Sequence, residues 1–344
     1  MRSTEGLVSF NAGSGKVCKA MGVFYNPLME FNRSISLLVI RTMGNQLKIG
    51  LPLAASGIRG LRILKELDGE HEVVLNDVSP EAVKLIKANL RLNKLKAKVF
   101  NKEANSFLLD SKGFNYIDID PFGSPNPFLD SAIRRISRHG ILAVTATDTA
   151  PLAGTYVKAC LRKYWARPLR NDFMHETGLR ILIRKVQLVA AQYDKAATPL
   201  LAYYKNHYFR VFFRMEKSKK LADKLLSSHR ILAYSSAHLG SAKQGEKYGP
   251  VYAGALWDKQ FLKGLATEDE SMKNFISIIR EEAKLNSIGF IGLGTLGKIY
   301  KPKALLKKEE LIKKLIATGH KACSTHFTPE AIRFEGQPDF RLLL

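Results

Sequence analysis

The stretch NYIDIDPFGSP, residues 115–125, ends an apolar run in two carboxylates, Asp118 and Asp120, followed by a proline, an aromatic ring and a glycine. Carboxylates and backbone carbonyls only accept hydrogen bonds, so such a turn can hold a group that has hydrogens to give. Three earlier segments belong with it. Ala55-Ser56-Gly57-Ile58-Arg59-Gly60 is a small-residue loop between a strand and a helix. Asp77 lies 20 residues beyond Gly57, the distance at which an acid can bond ribose hydroxyls. Glu103 and Ala104 close a third strand. In an open parallel sheet, ligands sit at the carboxyl ends of the strands. A small-residue loop followed by one acid per strand describes a nucleoside pocket.

These residues need a scaffold, and the chain spells one out. Strands are predicted at 46–54, 71–77, 97–104, 114–120 and 140–149. Helices are predicted at 34–42, from Leu61 to Gly69, from Ser79-Pro80-Glu81 onward and at 125–138. Residues 1–34 read as irregular. Strands alternating with helices mean a mainly parallel sheet covered on both faces. After about residue 168 the rhythm changes. Residues 175–204 read as helical, 207–216 as a strand with one exposed face, and 249–257, 290–294 and 329–334 as short strands. The expected organisation is an α/β domain over 1–168 and a smaller α+β domain over 169–344.

Lys and Arg total 54 against 31 Asp and Glu, a net charge of +23. The excess is shared: residues 1–168 carry 24 basic and 14 acidic side chains, residues 169–344 carry 30 and 17. Basicity spread over a folded protein points to a large polyanion, most commonly nucleic acid. A lysine-rich surface of a heat-tolerant protein would carry balancing glutamate, which is missing. Cys18, Cys160 and Cys323 are dispersed and odd in number, so a disulfide framework is not expected and a reducing cytoplasm fits. There is no signal-peptide pattern, and ISLLVI (35–40) is far too short to span a bilayer. No membrane association and no obligate protein partner are expected.

NAD and S-adenosylmethionine both use pockets of this kind. The first loop lacks the full G-x-G-x-x-G that a pyrophosphate needs, which favours S-adenosylmethionine. Asp120-Pro121-Phe122 resembles the [DNS]-P-P-[FYW] element of amino-group methyltransferases. There the acid and the next carbonyl accept hydrogen bonds from an exocyclic amine, and the ring stacks on the base. Asp-Pro also opens ordinary turns; the other three strand ends favour a site. Asp118 alternates to the same face as Asp120, so either can point at the pocket. Asp120 is preferred because it starts the Pro-Phe turn.

Longer stretches extend the resemblance. FYNPLMEFNRSIS (24–36), SGIRGLR (56–62), NDVSPEAVKLIKANLRLN (76–93), KEANSFL (102–108) and YIDIDPFGSP (116–125) are similar to the tRNA (guanine-N2) dimethyltransferase family that acts on position 26. GLRILIRKV (178–186), LAYYKNHYFRVFFR (201–214), GPVYAGALWDKQFL (249–262) and STHFTPEAIR (324–333) resemble its C-terminal domain. The resemblance implies a Rossmann-like class I methyltransferase domain, S-adenosyl-L-methionine as cofactor and tRNA as partner. It also implies residue roles. Arg33 and Arg59 would hold the methionine end of the cofactor, Asp77 the ribose, and Glu103 and Ala104 would border the adenine. Asp120 would accept from the target amine, with the Pro121 carbonyl helping and Phe122 stacking. For Arg33 the alternative is a surface arginine at a helix end. Other members often carry a four-cysteine zinc site; residues 231–250 here contain no cysteine. The other functions in view are methylation of another base amine, such as adenine N6 in DNA or RNA, and non-catalytic RNA binding with a relic pocket. The intact set of Arg33, Asp77 and Asp120 argues against the relic.

Four further motifs stand apart from this pocket. GLGTLG (292–297) is a literal G-x-G-x-x-G, but KIYKP follows where a helix would be needed, so packing or turns are expected. GSGK (13–16) lacks the Ser/Thr and the preceding glycine of a phosphate loop. His320, Cys323 and His326 lack a fourth ligand for zinc, so no metal is expected. The aromatic run from Tyr203 to Phe212 stands among basic residues, where it stacks RNA bases or packs a core.

Overall fold

The computed structural model describes residues 2–11, 23, 25–234 and 245–344. The chain gathers into two compact units whose segments interleave. The first holds Met1–Thr145, Val189–Ala197 and Phe212–Lys219; the second holds Ala146–Leu188, Thr198–Val211 and Lys220–Leu344. The boundary expected near residue 168 thus corresponds to no single cut.

The first unit opens with an antiparallel hairpin, β1 (Arg2–Glu5) and β2 (Val8–Asn11), in a region read as irregular. Val8 and Phe10 are buried. The backbone of Ser9 is bonded in both directions by the Asn93 side chain, and that of Asn11 by Asn89. Those partners lie some eighty residues away, so no local pattern announces the hairpin. A 3-10 turn, Pro27–Met29, leads into α1 (Glu30–Arg41), which begins ahead of the expected Ser34.

Alternation then follows the expected course: β3 (Lys48–Leu51), α2 (Ile58–Glu66), β4 (Glu72–Asn76), α3 (Pro80–Leu92), β5 (Lys98–Phe100), α4 (Ala104–Leu109), β6 (Phe114–Ile119), α5 (Asn126–Arg135) and β7 (Ile136–Ala146). The start of α3 shows why the sequence was readable. Ser79 caps it by accepting from the Ala82 N–H, Pro80 fills the first turn, and Ala82, Val83, Ile86 and Leu90 form the buried stripe. The end of α5 was less so. The helix stops at Arg135 because Ile136 pairs with Phe114, and a register shift then brings Ile141 opposite Tyr116.

The remaining elements are α6 (Thr149–Leu152), α7 (Val157–Tyr164), α8 (Met174–Ala191), β8 (Lys195–Lys205), β9 (Tyr208–Lys217), α9 (Lys219–Leu226), β10 (His229–Tyr234), β11 (Glu246–Tyr252), α10 (Lys259–Lys263), α11 (Glu270–Glu282), β12 (Ile291–Gly292), α12 (Leu293–Tyr300), α13 (Lys308–Ala317), β13 (Ala322–Ser324), β14 (Ala331–Phe334) and α14 (Phe340–Leu343). Residues 195–204, expected to continue a helix, form β8 instead. β9 was expected to expose one face, yet Tyr208–Phe213 are buried throughout. Both differences have one cause: β8 and β9 join the central sheet.

That sheet has seven strands in the order β5-β4-β3-β6-β7-β9-β8. The pairs β5/β4, β4/β3, β3/β6 and β6/β7 are parallel. Only Asn206 and His207 separate β8 from β9, a connection that suits an antiparallel pair. The architecture is a Rossmann-like α/β fold. Its strand order reverses between β3 and β6, which puts the ligand crevice at the carboxyl ends of those strands.

In the second unit a buried polar cluster surrounds Arg333. Its guanidinium, wholly buried, pairs with Glu176 at 2.6 Å and Glu282 at 3.0 Å. Arg180 bonds Glu176 at 2.8 Å, and His326 and Thr325 bond Glu282. Burial alone would push Glu176 up, but the Arg333 and Arg180 guanidiniums outweigh it and hold the carboxyl at about 2.

Candidate active site

At the end of β3 the chain turns sharply. Gly57 has φ +79 and heads α2, a backbone geometry that favours glycine. A Cβ on Gly60 would stand 2.8 Å from Leu75, so the helix lies close against the sheet only because that Cβ is absent. Asp77, just past β4, fastens this loop. One carboxylate oxygen accepts from the Ala55 N–H at 2.8 Å, the other from the Ser79 N–H at 3.0 Å. Each oxygen retains a second lone pair that a hydroxyl can use. Asn76, fully buried, ties three strand ends together: it donates to Pro52 O and Lys102 O and accepts from the Lys102 N–H. Val78, beside Asp77, leaves an apolar side chain 66% exposed.

The end of β6 carries the second cluster. Asp118 is buried, accepts from the Tyr116 hydroxyl at 2.6 Å and lies 3.3 Å from Arg59. Asp120 is paired with the other arm of the same guanidinium and reaches the surface further than Asp118 does. Arg59 also donates to Ser36 Oγ at 2.6 Å and Asn32 Oδ1 at 3.0 Å. Both carboxylates therefore face one cation, itself held by α1. Phe122 projects outward and is 73% exposed. A rigid acid next to an exposed ring is suited to gripping a planar base bearing an amine.

The other expected residues are placed as follows. Arg33 is no surface arginine. It is buried, gives Nε and Nη2 to Glu5, donates to Asn26 O, and lies 5.1 Å from the Tyr25 ring. Arg62 donates to Glu5 Oε1 as well, at 3.0 Å. Arg33 is thus joined to the N-terminal hairpin, whereas Arg59 is joined to the strand-end acids. Glu103 is exposed and caps α4 by accepting from the Ser106 N–H at 2.9 Å; Ala104 is buried behind it. The sequence reading missed Glu5, Asn32, Ser36 and Asn76. Asn32 and Ser36 carried a signal, as uncharged polar residues at i and i+4 on one face of α1.

The side motifs resolve differently. GLGTLG runs into α12, which starts at Leu293 inside the motif, so the expected lack of a helix was wrong. Gly292, Gly294 and Gly297 cap or sit in that short helix. Tyr203, Tyr208, Phe209 and Phe212 are buried and pack a core rather than stacking on RNA. Cys323 is buried and His326 is bonded to Glu282. Among the described residues no group of three or more His, Cys, Asp or Glu is placed to hold a metal ion. GSGK and most of the cysteine-free stretch 231–250 lie outside the described residues. No described helix is long and apolar enough to cross a membrane.

The family model for N2,N2-dimethylguanosine tRNA methyltransferase matches residues 6–340. The chain belongs to that family. It is 40% identical over 314 residues to the tRNA (guanine(26)-N(2)/guanine(27)-N(2))-dimethyltransferase of Aquifex aeolicus, covering 82% of this chain and 80% of that one. It is 38% identical over 344 residues to the tRNA (guanine(26)-N(2))-dimethyltransferase of Thermococcus kodakarensis, covering 90% and 89%. Among solved structures, Trm1 from Pyrococcus horikoshii in complex with S-adenosyl-L-methionine superposes with a TM-score of 0.87 at 33% identity, over 100% of this chain and 98% of that one. Family members are S-adenosylmethionine-dependent, and the residues here fit that cofactor. Asp77 keeps lone pairs for a ribose diol, Val78 offers an apolar face beside it, and the Arg59 guanidinium stands at the end of β6, where a carboxylate could meet it.

Proposed function

We infer that the chain transfers methyl groups from S-adenosyl-L-methionine to the exocyclic N2 of a guanine in tRNA, at position 26. The observation that carries this reading is the Asp120-Pro121-Phe122 turn. It lies at the end of β6, next to β3 and one strand from the Asp77 loop. When bound, the cofactor supplies an electrophilic methyl group. Asp77 holds the ribose, and Glu103 and Ala104 border the adenine with Val78. Arg59, with Nη1 of Arg33, meets the methionine carboxylate. The target amine is a poor nucleophile because its lone pair is delocalised into the ring. Asp120 and the Pro121 carbonyl accept its two hydrogens, draw the nitrogen toward sp3 geometry and free the lone pair. Asp120 then takes the proton that the nitrogen sheds. Arg59 keeps that carboxylate aimed. After one methylation a single hydrogen remains, and a single acceptor suffices for the second transfer.

The second unit, with its share of the positive charge, grips tRNA. Flipping the base out of the stack costs a few kcal/mol, which backbone contacts can offset. The reading places the enzyme with the tRNA pool in the cytoplasm. Nucleoside analysis of tRNA treated with the protein and labelled cofactor tests it. N2-methyl- and N2,N2-dimethylguanosine are expected; label on adenine or none at all would overturn it. Because the Aquifex relative is named for positions 26 and 27, site mapping should include both.

Two outcomes follow from the site and the charge. Phe122→Ala should weaken the second methylation at least as much as the first, since the bulkier amine depends more on the ring to hold the base flat. Chromatographic resolution of the two products reads this directly. Affinity for tRNA should fall steeply with salt, as several phosphate contacts release counterions. A salt-independent affinity would rule out the electrostatic grip.

A further inference from the structure

The last seventy-five residues fold in a recognisable order. α11 is followed by β12, then α12, a turn, α13, and the hairpin β13–β14. The three strands pair antiparallel in the order β12-β14-β13, so the first strand pairs with the last and the last two form a wing. One apolar core serves the arrangement: Leu293 and Leu296 of α12, Leu311 and Leu315 of α13, Ile332 of β14 and Phe340 of α14. This is the topology of a winged helix–turn–helix, a nucleic-acid-binding architecture by fold analogy.

Its helix–turn–helix segment is strongly charged. Between Leu293 and Lys321 the chain carries eight lysines and two acidic residues. Both acids are engaged locally. Glu310 folds back on the Lys307 N–H, and Glu309 lies 3.7 Å from Lys308. Three of the lysines are engaged too, Lys308 donating to Pro329 O, Lys314 to Leu343 O, and Lys321 pairing with Glu335 at 3.2 Å. Lys298 in the last turn of α12, Lys301 and Lys303 at the turn, and Lys313 on α13 opposite Leu311 and Leu315, are exposed. No ion pair forms at these four among the described residues.

We propose that this winged helix–turn–helix docks its α12–turn–α13 face on the phosphate backbone of a duplex arm of the tRNA, without reading its sequence. The inference rests on the tRNA methyltransferase reading and adds the module, the face and the mode of contact. Charge complementarity selects the partner. The A-form geometry of RNA selects the mode: its major groove is too deep and narrow for a helix to reach base edges, so phosphates and 2′-hydroxyls remain as contacts.

The test uses the full-length protein. The triple variant Lys301→Gln/Lys303→Gln/Lys313→Gln removes charge at exposed positions, and a thermal melt matching the wild type establishes that it folds. Its tRNA dissociation constant should rise about tenfold or more near physiological salt, and the slope of log affinity against log salt should flatten by roughly two to three. The loss should be uniform across tRNA sequences. A short RNA duplex should compete with tRNA for the wild type and much less for the variant. Single-turnover methylation at saturating tRNA should stay within about twofold. If the wild type neither binds nor methylates tRNA, the activity reading fails. If the wild type does both while the variant keeps its affinity and slope, the docking proposal fails. Competition by single-stranded RNA but not by the duplex would also overturn it. Should the triple variant not fold, the pair Lys303→Gln/Lys313→Gln gives the same readout with a slope change of about one to two.

Discussion

Asp120→Ala is expected to slow methyl transfer in a single turnover by about a hundredfold to ten-thousandfold, the range that positioned acid–base groups supply. The substitution removes the acceptor that, in the proposed mechanism, polarises the amine and takes its proton. Arg59 keeps Asp118, Ser36 and Asn32 as partners, so the cluster should hold its shape. Cofactor affinity, which we propose to rest on Asp77 and the arginines, should change by no more than a few fold. Equilibrium binding of the cofactor beside single-turnover kinetics separates the two effects. Near-normal turnover would assign the work to Asp118 or to no carboxylate. That outcome is disfavoured by geometry, since Asp118 is buried and engaged by Tyr116 and Arg59.

Arg333→Met should be the most damaging single change to stability, destabilising the second unit by about 3–5 kcal/mol. It leaves Glu176 and Glu282 buried with one cation fewer. Trp257, whose ring lies 5.4 Å from the Arg333 guanidinium carbon, reports the transition by fluorescence during urea unfolding. Adding Glu176→Gln and Glu282→Gln should recover part of the loss, because neutral amides need less compensation. A shift worth less than about 1 kcal/mol in the Arg333→Met variant would show that the cluster is dispensable. The same network sets an acid limit. Glu176 is held at about 2 against an ordinary 4.5. A depressed carboxylate stabilises fully above its unfolded value and loses that contribution as pH falls through the folded one. The second unit should therefore weaken from pH 4.5 toward pH 2, and Arg333→Met should show a shallower acid limb.

The parts of the molecule legible in the sequence share one property: their signals are local. Ser79-Pro80-Glu81 announced α3 because cap, proline and first turn are consecutive. The apolar runs of β3, β4 and β6 stood out because a parallel strand is buried on both faces. The acids that end those strands could be read in order because each follows its strand directly. The α-to-β change at residue 195 was not legible, because a short apolar run fits either a helix or a buried strand until a neighbouring strand claims it. The N-terminal hairpin was equally hidden: Asn89, Asn93, Arg33 and Arg62 hold it from distant helices.

The sequence by itself determined the alternation of strands and helices, the acids placed at the strand ends, the resemblance to guanine-N2 methyltransferases and the basic character that suits a polyanion. Only the tertiary structure decided how the cations are divided. It gave Arg59 to Asp118 and Asp120, Arg33 to Glu5, and Arg333 to Glu176 and Glu282. The physical reason is that a buried charge must find an opposite charge within a few ångströms. Which partner lies there depends on how helices and strands far apart in the chain pack, and no spacing along the sequence encodes that.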